Sequence, residues 1–230
     1  MNKNTRIDSK LLEETLTTLH CRIEERFPKS GLGKVCEDII KILNKTNEQI
    51  KWISKPHFII RLSLSLILLT SLVGLFFLVK NTNYNLSNSI DSIVTVSEAF
   101  FNIVFILGAG IFYLISTETR YKRKKAINSI NQLRSLLHVV DMYQLSKDPN
   151  MVDMKNYNTM NSPTRVLTRF ELFRYLNYCS ETIVIISKIS TIYAQSFDDN
   201  VIIKSVNDIE ILSTGLNQKI WQKINILQNS

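Results

Sequence analysis

The sequence predicts an all-α protein in which a two-span transmembrane helical hairpin carries a cytoplasmic bundle built from N- and C-terminal amphipathic helices. Three observations predict this class. Two apolar runs are each long enough to cross a bilayer, basic residues flank both runs on one side, and the rest of the chain repeats apolar residues at helical spacing. Only 6 Gly and 4 Pro occur in 230 residues, which favours long helices over a sheet with many tight turns.

The N-terminal cytoplasmic segment, residues 1–57, carries two predicted helices. The first has an apolar stripe with spacings of three and four residues, formed by Leu12, Leu16, Leu19 and Ile23. Pro28 ends this helix, and the SGLG sequence at 30–33 predicts a turn. The second helix carries its apolar face on Val35, Ile39, Ile42 or Leu43, and Ile50. We therefore expect a helical hairpin before the first apolar run.

The two apolar runs are the predicted membrane spans. Residues 58–79 and residues 96–117 are each 22 residues long, which at ~1.5 Å per residue matches a hydrocarbon core of ~30 Å. Residues 80–95 contain only Lys80 and Asp91 as charged residues and predict a short extracytoplasmic loop. Together these segments predict a hairpin of two spans.

Basic residues set the predicted orientation of that hairpin. Five of them follow the second span directly: Arg120, Lys122, Arg123, Lys124 and Lys125. Positive charge beside a membrane span is retained on the cytoplasmic side, so both termini are predicted to face the cytoplasm. The chain is thus predicted to be a multi-pass protein of a cell membrane, which we expect to be a bacterial plasma membrane. The five residues are also a predicted anchor or binding site for lipid headgroups. Because the net charge of +8 is concentrated beside the spans, nucleic acid is not an expected partner.

The C-terminal cytoplasmic segment, residues 118–230, predicts three more helices. The first continues the second span to about Leu145, and residues 147–163 predict a mobile loop. Helices follow at 164–196 and 200–228, with Asp199 as the N-cap of the last. The last helix carries a heptad seam typical of coiled coils on Ile202, Val206, Ile209, Ser213, Leu216, Ile220 and Leu227. Such stripes pack either within one subunit or between subunits, and we expect a homo-oligomer.

One face of the second span is polar or lined by small residues. It comprises Glu98, Asn102, Ala109, Tyr113 and Ser116. Polar residues inside a span face a protein interior or a water-filled cavity. Two interpretations remain open: a pore lining, or a helix interface in which small residues allow close approach.

No residue constellation predicts chemistry. The three histidines lie in different segments, and the three cysteines form no CxxC pair, so no metal, cofactor-binding or catalytic residue is predicted. Arg134 and His138 are similar to the Arg and His pair of HEPN-type ribonucleases, but that motif has a longer gap than the single turn here. We therefore predict a protein that is not an enzyme and uses no cofactor.

The layout resembles that of small bacterial two-span effectors, in which a membrane hairpin with cytoplasmic helices assembles and permeabilises or signals through the membrane. This resemblance implies a protein that oligomerises through its cytoplasmic helices and forms or gates a pore. The alternative function is a membrane-anchored scaffold whose cytoplasmic helices bind a soluble protein partner.

Overall fold

In a computed structural model of the chain, every regular element of the described residues is a helix. The structure describes residues 6–53, 90–151 and 167–229, with single positions between 62 and 80. The helices are α1 (Ser9–Arg26), α2 (Gly31–Ile53), α3 (Ile90–Leu145), α4 (Arg169–Ser196) and α5 (Asn200–Asn229), with a short 3-10 helix at Pro149–Met151. The all-α prediction is confirmed. The predicted first span, residues 58–79, is described only at single positions, so its limits stay a prediction.

The chain divides into two compact units. The first, which we call the bundle, comprises residues 1–54 and 125–230, and the second, which we call the apolar unit, comprises residues 55–124. The bundle is therefore discontinuous in sequence, because the apolar unit is inserted between its two parts. Helix α3 passes from the apolar unit into the bundle without a break.

Each of the five helices contributes one apolar stripe to the core of the bundle. On α1, α2 and α3 the fully buried residues include Leu16, Leu19, Ile23, Leu32, Ile39, Leu43, Ile130, Leu133 and Leu137. On α5 the predicted seam is buried at all seven positions. The apolar stripes of the described helices are thus buried within one chain, so they do not need a partner subunit to cover them. Of the two residues weighed on α2, Leu43 is fully buried and Ile42 only partly.

The turn between α1 and α2 is shorter than predicted, and the prediction of a turn over 30–33 is wrong. Helix α2 begins at Gly31, because the Ser30 hydroxyl accepts a hydrogen bond from the Gly33 N–H (3.1 Å) and caps the new helix. The chain reverses instead at Pro28 and at Lys29, whose φ of 58° lies in the left-handed region.

Gly33 lies where the Glu24 side chain of α1 approaches α2, so a larger residue here would require that side chain to shift. A Cβ atom at this position would overlap the Glu24 carboxylate of α1. The same carboxylate accepts a hydrogen bond from the Lys29 N–H (3.1 Å), so it holds the turn as well as the contact.

Two other predicted boundaries are also corrected. Helix α4 begins at Arg169 and not at residue 164, because Thr168 and Glu171 form a capping box. Helix α3 covers Ile90–Leu145, so the last six residues of the predicted loop 80–95 are helical.

The C-terminal segment contains one predicted N-cap, Asp199, and one predicted loop, residues 147–163. The predicted N-cap Asp199 is confirmed, since its side chain accepts hydrogen bonds from the N–H groups of Val201 and Ile202 at 3.0 and 3.3 Å. Within the predicted loop 147–163, Pro149–Met151 forms the 3-10 helix, and residues 152–163 lie outside the described residues.

Candidate functional site

The part of α3 in the apolar unit exposes large apolar side chains along its length. Phe105 is 78% exposed, and Phe101, Phe112 and Ile106 are similarly uncovered. The helix is long enough and apolar enough to cross a membrane, by length and composition alone. An exposed apolar surface of this size is typical of a membrane or protein contact. Among the described residues, this helix is thus the one whose length and composition favour a membrane association.

The predicted polar face of the second span is present on this helix. On a helix of about 3.6 residues per turn the five residues fall within an arc of about 60°. Glu98, Asn102, Ala109 and Tyr113 are exposed, and Ser116 is half-buried. Among the described residues, none of the five side chains has a hydrogen-bond or ion-pair partner. A Cβ atom at Gly108 or Gly110 would likewise meet none of the described atoms within 4 Å.

The five basic residues after the span differ in their surroundings. The Lys122 ammonium is almost buried and lies 2.6 Å from the Glu118 carboxylate, one turn earlier on α3. The Lys125 ammonium lies 4.2 Å from the centroid of the Trp52 ring, a cation–π contact inside the bundle. Arg120 and Lys124 are exposed, and Arg123 is half-buried. Lys122 and Lys125, two of the predicted headgroup ligands, thus contact other side chains.

A buried polar network, which sequence analysis missed, links three helices of the bundle. The Tyr193 hydroxyl of α4 donates to Gln49 Oε1 of α2 (2.8 Å) and lies 3.0 Å from Thr46 Oγ1. The Ser129 hydroxyl of α3 donates to the same Gln49 oxygen (2.9 Å). The available signal was the presence of Thr46 and Gln49 three residues apart on the apolar face of α2. Burial raises the pKa of Tyr193, and the neighbouring Ser129 and Thr46 hydroxyls offset only part of that shift.

Two cysteines lie in the core and are unsuited to nucleophilic chemistry. Cys36 Sγ is 3.8 Å from the Thr182 hydroxyl, and both Cys36 and Cys179 are completely buried. Burial raises the pKa of Cys36 to about 11 and raises that of Cys179 as well. A thiol must lose its proton to act as a nucleophile or metal ligand, so both side chains serve as core packing at neutral pH.

The remaining residues with catalytic potential are not assembled into a site. Arg134 contacts Asp208 (3.4 Å) on the surface, and His138 is exposed one turn further along α3. In the described part of the chain, no group of three His, Cys, Asp or Glu side chains is placed to hold a metal ion. Comparisons with protein-family models, with curated proteins and with solved structures give no match.

Proposed function

We propose that this chain is an integral membrane protein that crosses the bilayer twice, through residues 58–79 and 96–117, with both termini in the cytoplasm. The observation that best supports this proposal is the discontinuous bundle. Residues before the apolar unit pack against residues after it, as in the hydrogen bonds of Gln49 to Ser129 and Tyr193. A bundle can close in this way only if both parts lie on the same side of the membrane.

If both parts of the bundle lie on one side of the membrane, the segment between them crosses the bilayer an even number of times. If α3 crosses the bilayer once, the chain must cross a second time between Ile53 and the start of α3. Residues 58–79 are the apolar run in that interval. The basic residues after the second span favour a bundle on the cytoplasmic side of the membrane, which we propose is a bacterial plasma membrane. The exposed ends of Arg120 and Lys124 are then the residues that meet anionic lipid headgroups.

We propose further that several copies assemble so that the polar face of the second span lines a pore. The supporting observation is that this face is exposed on a helix that is otherwise apolar, which is costly in lipid unless the face meets water or protein. One chain supplies only two spans, so a pore requires a homo-oligomer. Because the core stripes are used within each chain, subunits must meet through the spans and the outer surface of the bundle.

The alternative function is a membrane-anchored scaffold, and one surface of α5 favours it. Ile203, Ile211 and Trp221 lie within about 80° of one another on the side opposite the buried seam. Trp221 is 51% exposed, and the two isoleucines are exposed as well. Exposed aromatic and aliphatic side chains on one helix face are typical anchors for a protein partner.

The first experiment separates a pore from an anchor by ion flux from liposomes. The double substitution Glu98→Leu and Asn102→Leu should abolish flux, because it removes the polar groups of the proposed lining. The matched control, Phe100→Leu and Val104→Leu, changes two exposed residues with the same spacing on the other side of α3 and should keep the flux. Unchanged flux in the first variant would eliminate the pore lining.

The second measurement counts subunits in nanodiscs by single-molecule mass. A closed ring of four or more supports the pore. A monomer or dimer has too few spans to enclose one and supports the scaffold, in which case an unrelated two-span anchor should replace residues 58–117 without loss of partner binding.

A further inference from the structure

Three arginines converge on one tyrosine at the end of the bundle where α1 ends and α4 begins. The guanidinium carbons of Arg22 and Arg174 lie 5.2 and 5.0 Å from the centroid of the Tyr178 ring. Arg174 also donates a hydrogen bond to the Tyr178 hydroxyl (3.3 Å). Arg26, one turn after Arg22, stacks on the exposed ring of Phe170 at 5.1 Å. The sequence separates these residues by about 150 positions, so no local pattern predicts the cluster.

The cluster surrounds an open cleft of about 440 Å³. It is lined by Arg22, Glu25, Arg26, Arg174 and Tyr178. The tyrosine is only 2% exposed and packs edge to face against Phe27, with ring centroids 6.2 Å apart. Its hydroxyl is therefore held in a fixed position between flexible guanidinium groups, which is the arrangement of a preformed polar site.

The positive charge of the cleft is only partly neutralised by the protein. Glu181 pairs with Arg22 (3.0 Å). Within the described residues, Arg26 and Arg174 form no ion pair, and Glu25 lines the cleft without one. Burial of Tyr178 acts to raise its pKa, but hydrogen bonds from Arg174 and Arg26 and the charges of Arg174 and Arg22 outweigh burial and lower it. The lowered pKa of Tyr178 thus indicates a positive potential at the centre of the cleft.

We propose that this cleft binds the phosphate group of a small soluble phosphomonoester. Guanidinium groups match the spacing of phosphate oxygens, and each forms charge-assisted hydrogen bonds with two of them. Arg26 and Arg174 supply these donors, and the Tyr178 hydroxyl supplies one more. The three guanidinium charges exceed the carboxylates of Glu181 and Glu25 by one, so the cleft attracts an anion. The volume of the cleft exceeds that of a phosphate ion, which leaves room for the rest of the ligand.

The cleft and the residue at which the chain leaves the bundle lie at opposite ends of α2. The cleft lies at the turn between α1 and α2, whereas the chain leaves the bundle toward the apolar unit at Ile53. The 23 residues of α2 separate these ends by about 35 Å at 1.5 Å per residue. This inference is independent of the proposed pore, since a scaffold would carry the same cleft.

The test is calorimetric titration of the full chain, in nanodiscs of phosphatidylcholine alone, with inorganic phosphate. Saturable binding is expected, and Arg174→Gln should weaken it at least tenfold. Lys188→Gln removes the same charge from an exposed position of the same helix, about four turns away, and should change the affinity less than twofold. Glu25→Gln should tighten binding, because it removes a like charge from the lining. Thermal melting by circular dichroism checks that each variant is folded.

Three results would overturn the proposal. One is the absence of saturable phosphate binding by the wild-type chain, and another is equal weakening by Arg174→Gln and Lys188→Gln, which would indicate a diffuse charge effect. The third concerns the source of the phosphate. If phosphatidic acid added to the nanodiscs competes with inorganic phosphate in the wild type but not in Arg174→Gln, the ligand is a lipid and not a soluble phosphomonoester.

Discussion

At the scale of single residues, the buried polar side chains specify how the helices of the bundle meet. Gln49 accepts hydrogen bonds from residues on two other helices, and these partners are 80 and 144 positions away in sequence. A buried oxygen left without its donor costs about 1–3 kcal/mol. Any slippage of α2 along α3 or α4 would therefore be penalised. Local sequence patterns cannot reveal such a network, because they show which residues face the core but not which residues face each other.

The cysteines give a residue-scale prediction. At pH 8 an aromatic disulfide reagent should modify one thiol per folded chain rapidly, because Cys21 is exposed while Cys36 and Cys179 are buried. Burial acts twice, since it blocks access and raises the pKa of Cys36 to about 11, which removes the reactive thiolate. The variant Cys21→Ser should show no fast thiol when folded and two in denaturant. Rapid labelling of either core cysteine in the folded chain would contradict the packing described for α2 and α4.

At the scale of elements, the apolar stripes were predictable, whereas the starts of α2 and α4 were not. The spacing of apolar residues identified the buried faces of α1 and α5, because burial imposes the helical period directly on the sequence. The ends depend on single capping side chains. The start of α4 was missed although Thr168 and Glu171 have capping-box spacing, and the start of α2 depends on Ser30 and on a left-handed Lys29. The candidate site on the span was predictable as a face, whereas the arginine cleft required the tertiary structure.

The capping box gives an element-scale prediction. Thr168→Ala should lower the free energy of unfolding by about 1 kcal/mol, because it removes the acceptor of the Glu171 N–H hydrogen bond (3.2 Å). The corresponding fall in Tm is about 2–4 °C for a chain of this size. Thr214→Ala is the matched control, since this exposed threonine in the middle of α5 bonds only back to the Glu210 carbonyl. An equal loss in both variants, measured by thermal melting, would show that the cap is not the cause.

At the scale of the whole molecule, the discontinuous bundle makes a prediction about topology. Alkaline phosphatase is active only outside the cytoplasm, so a fusion after residue 88, in the predicted outer loop, should be active. A fusion after residue 229 should be inactive, and green fluorescent protein at the same two positions should give the opposite pattern. Active phosphatase at both positions would place the two parts of the bundle on opposite sides of the membrane, which is incompatible with the hydrogen bond between Gln49 of α2 and Ser129 of α3. Activity after residue 229 alone would indicate the inverted orientation.

Because the bundle is discontinuous in sequence, its two parts are synthesised at different times. The helices α1 and α2 leave the ribosome first, but the residues that cover their apolar faces extend to Ser196 and beyond. At about 5–20 residues per second, the ~140 residues from Ile53 to Ser196 take roughly 7–30 s to synthesise. In the proposed topology, the nascent hairpin presents Leu16, Ile39 and Leu43 to the cytosol throughout this interval, while the membrane segments are inserted. We therefore predict that a chaperone, or the membrane surface itself, protects this half-core until its second half arrives.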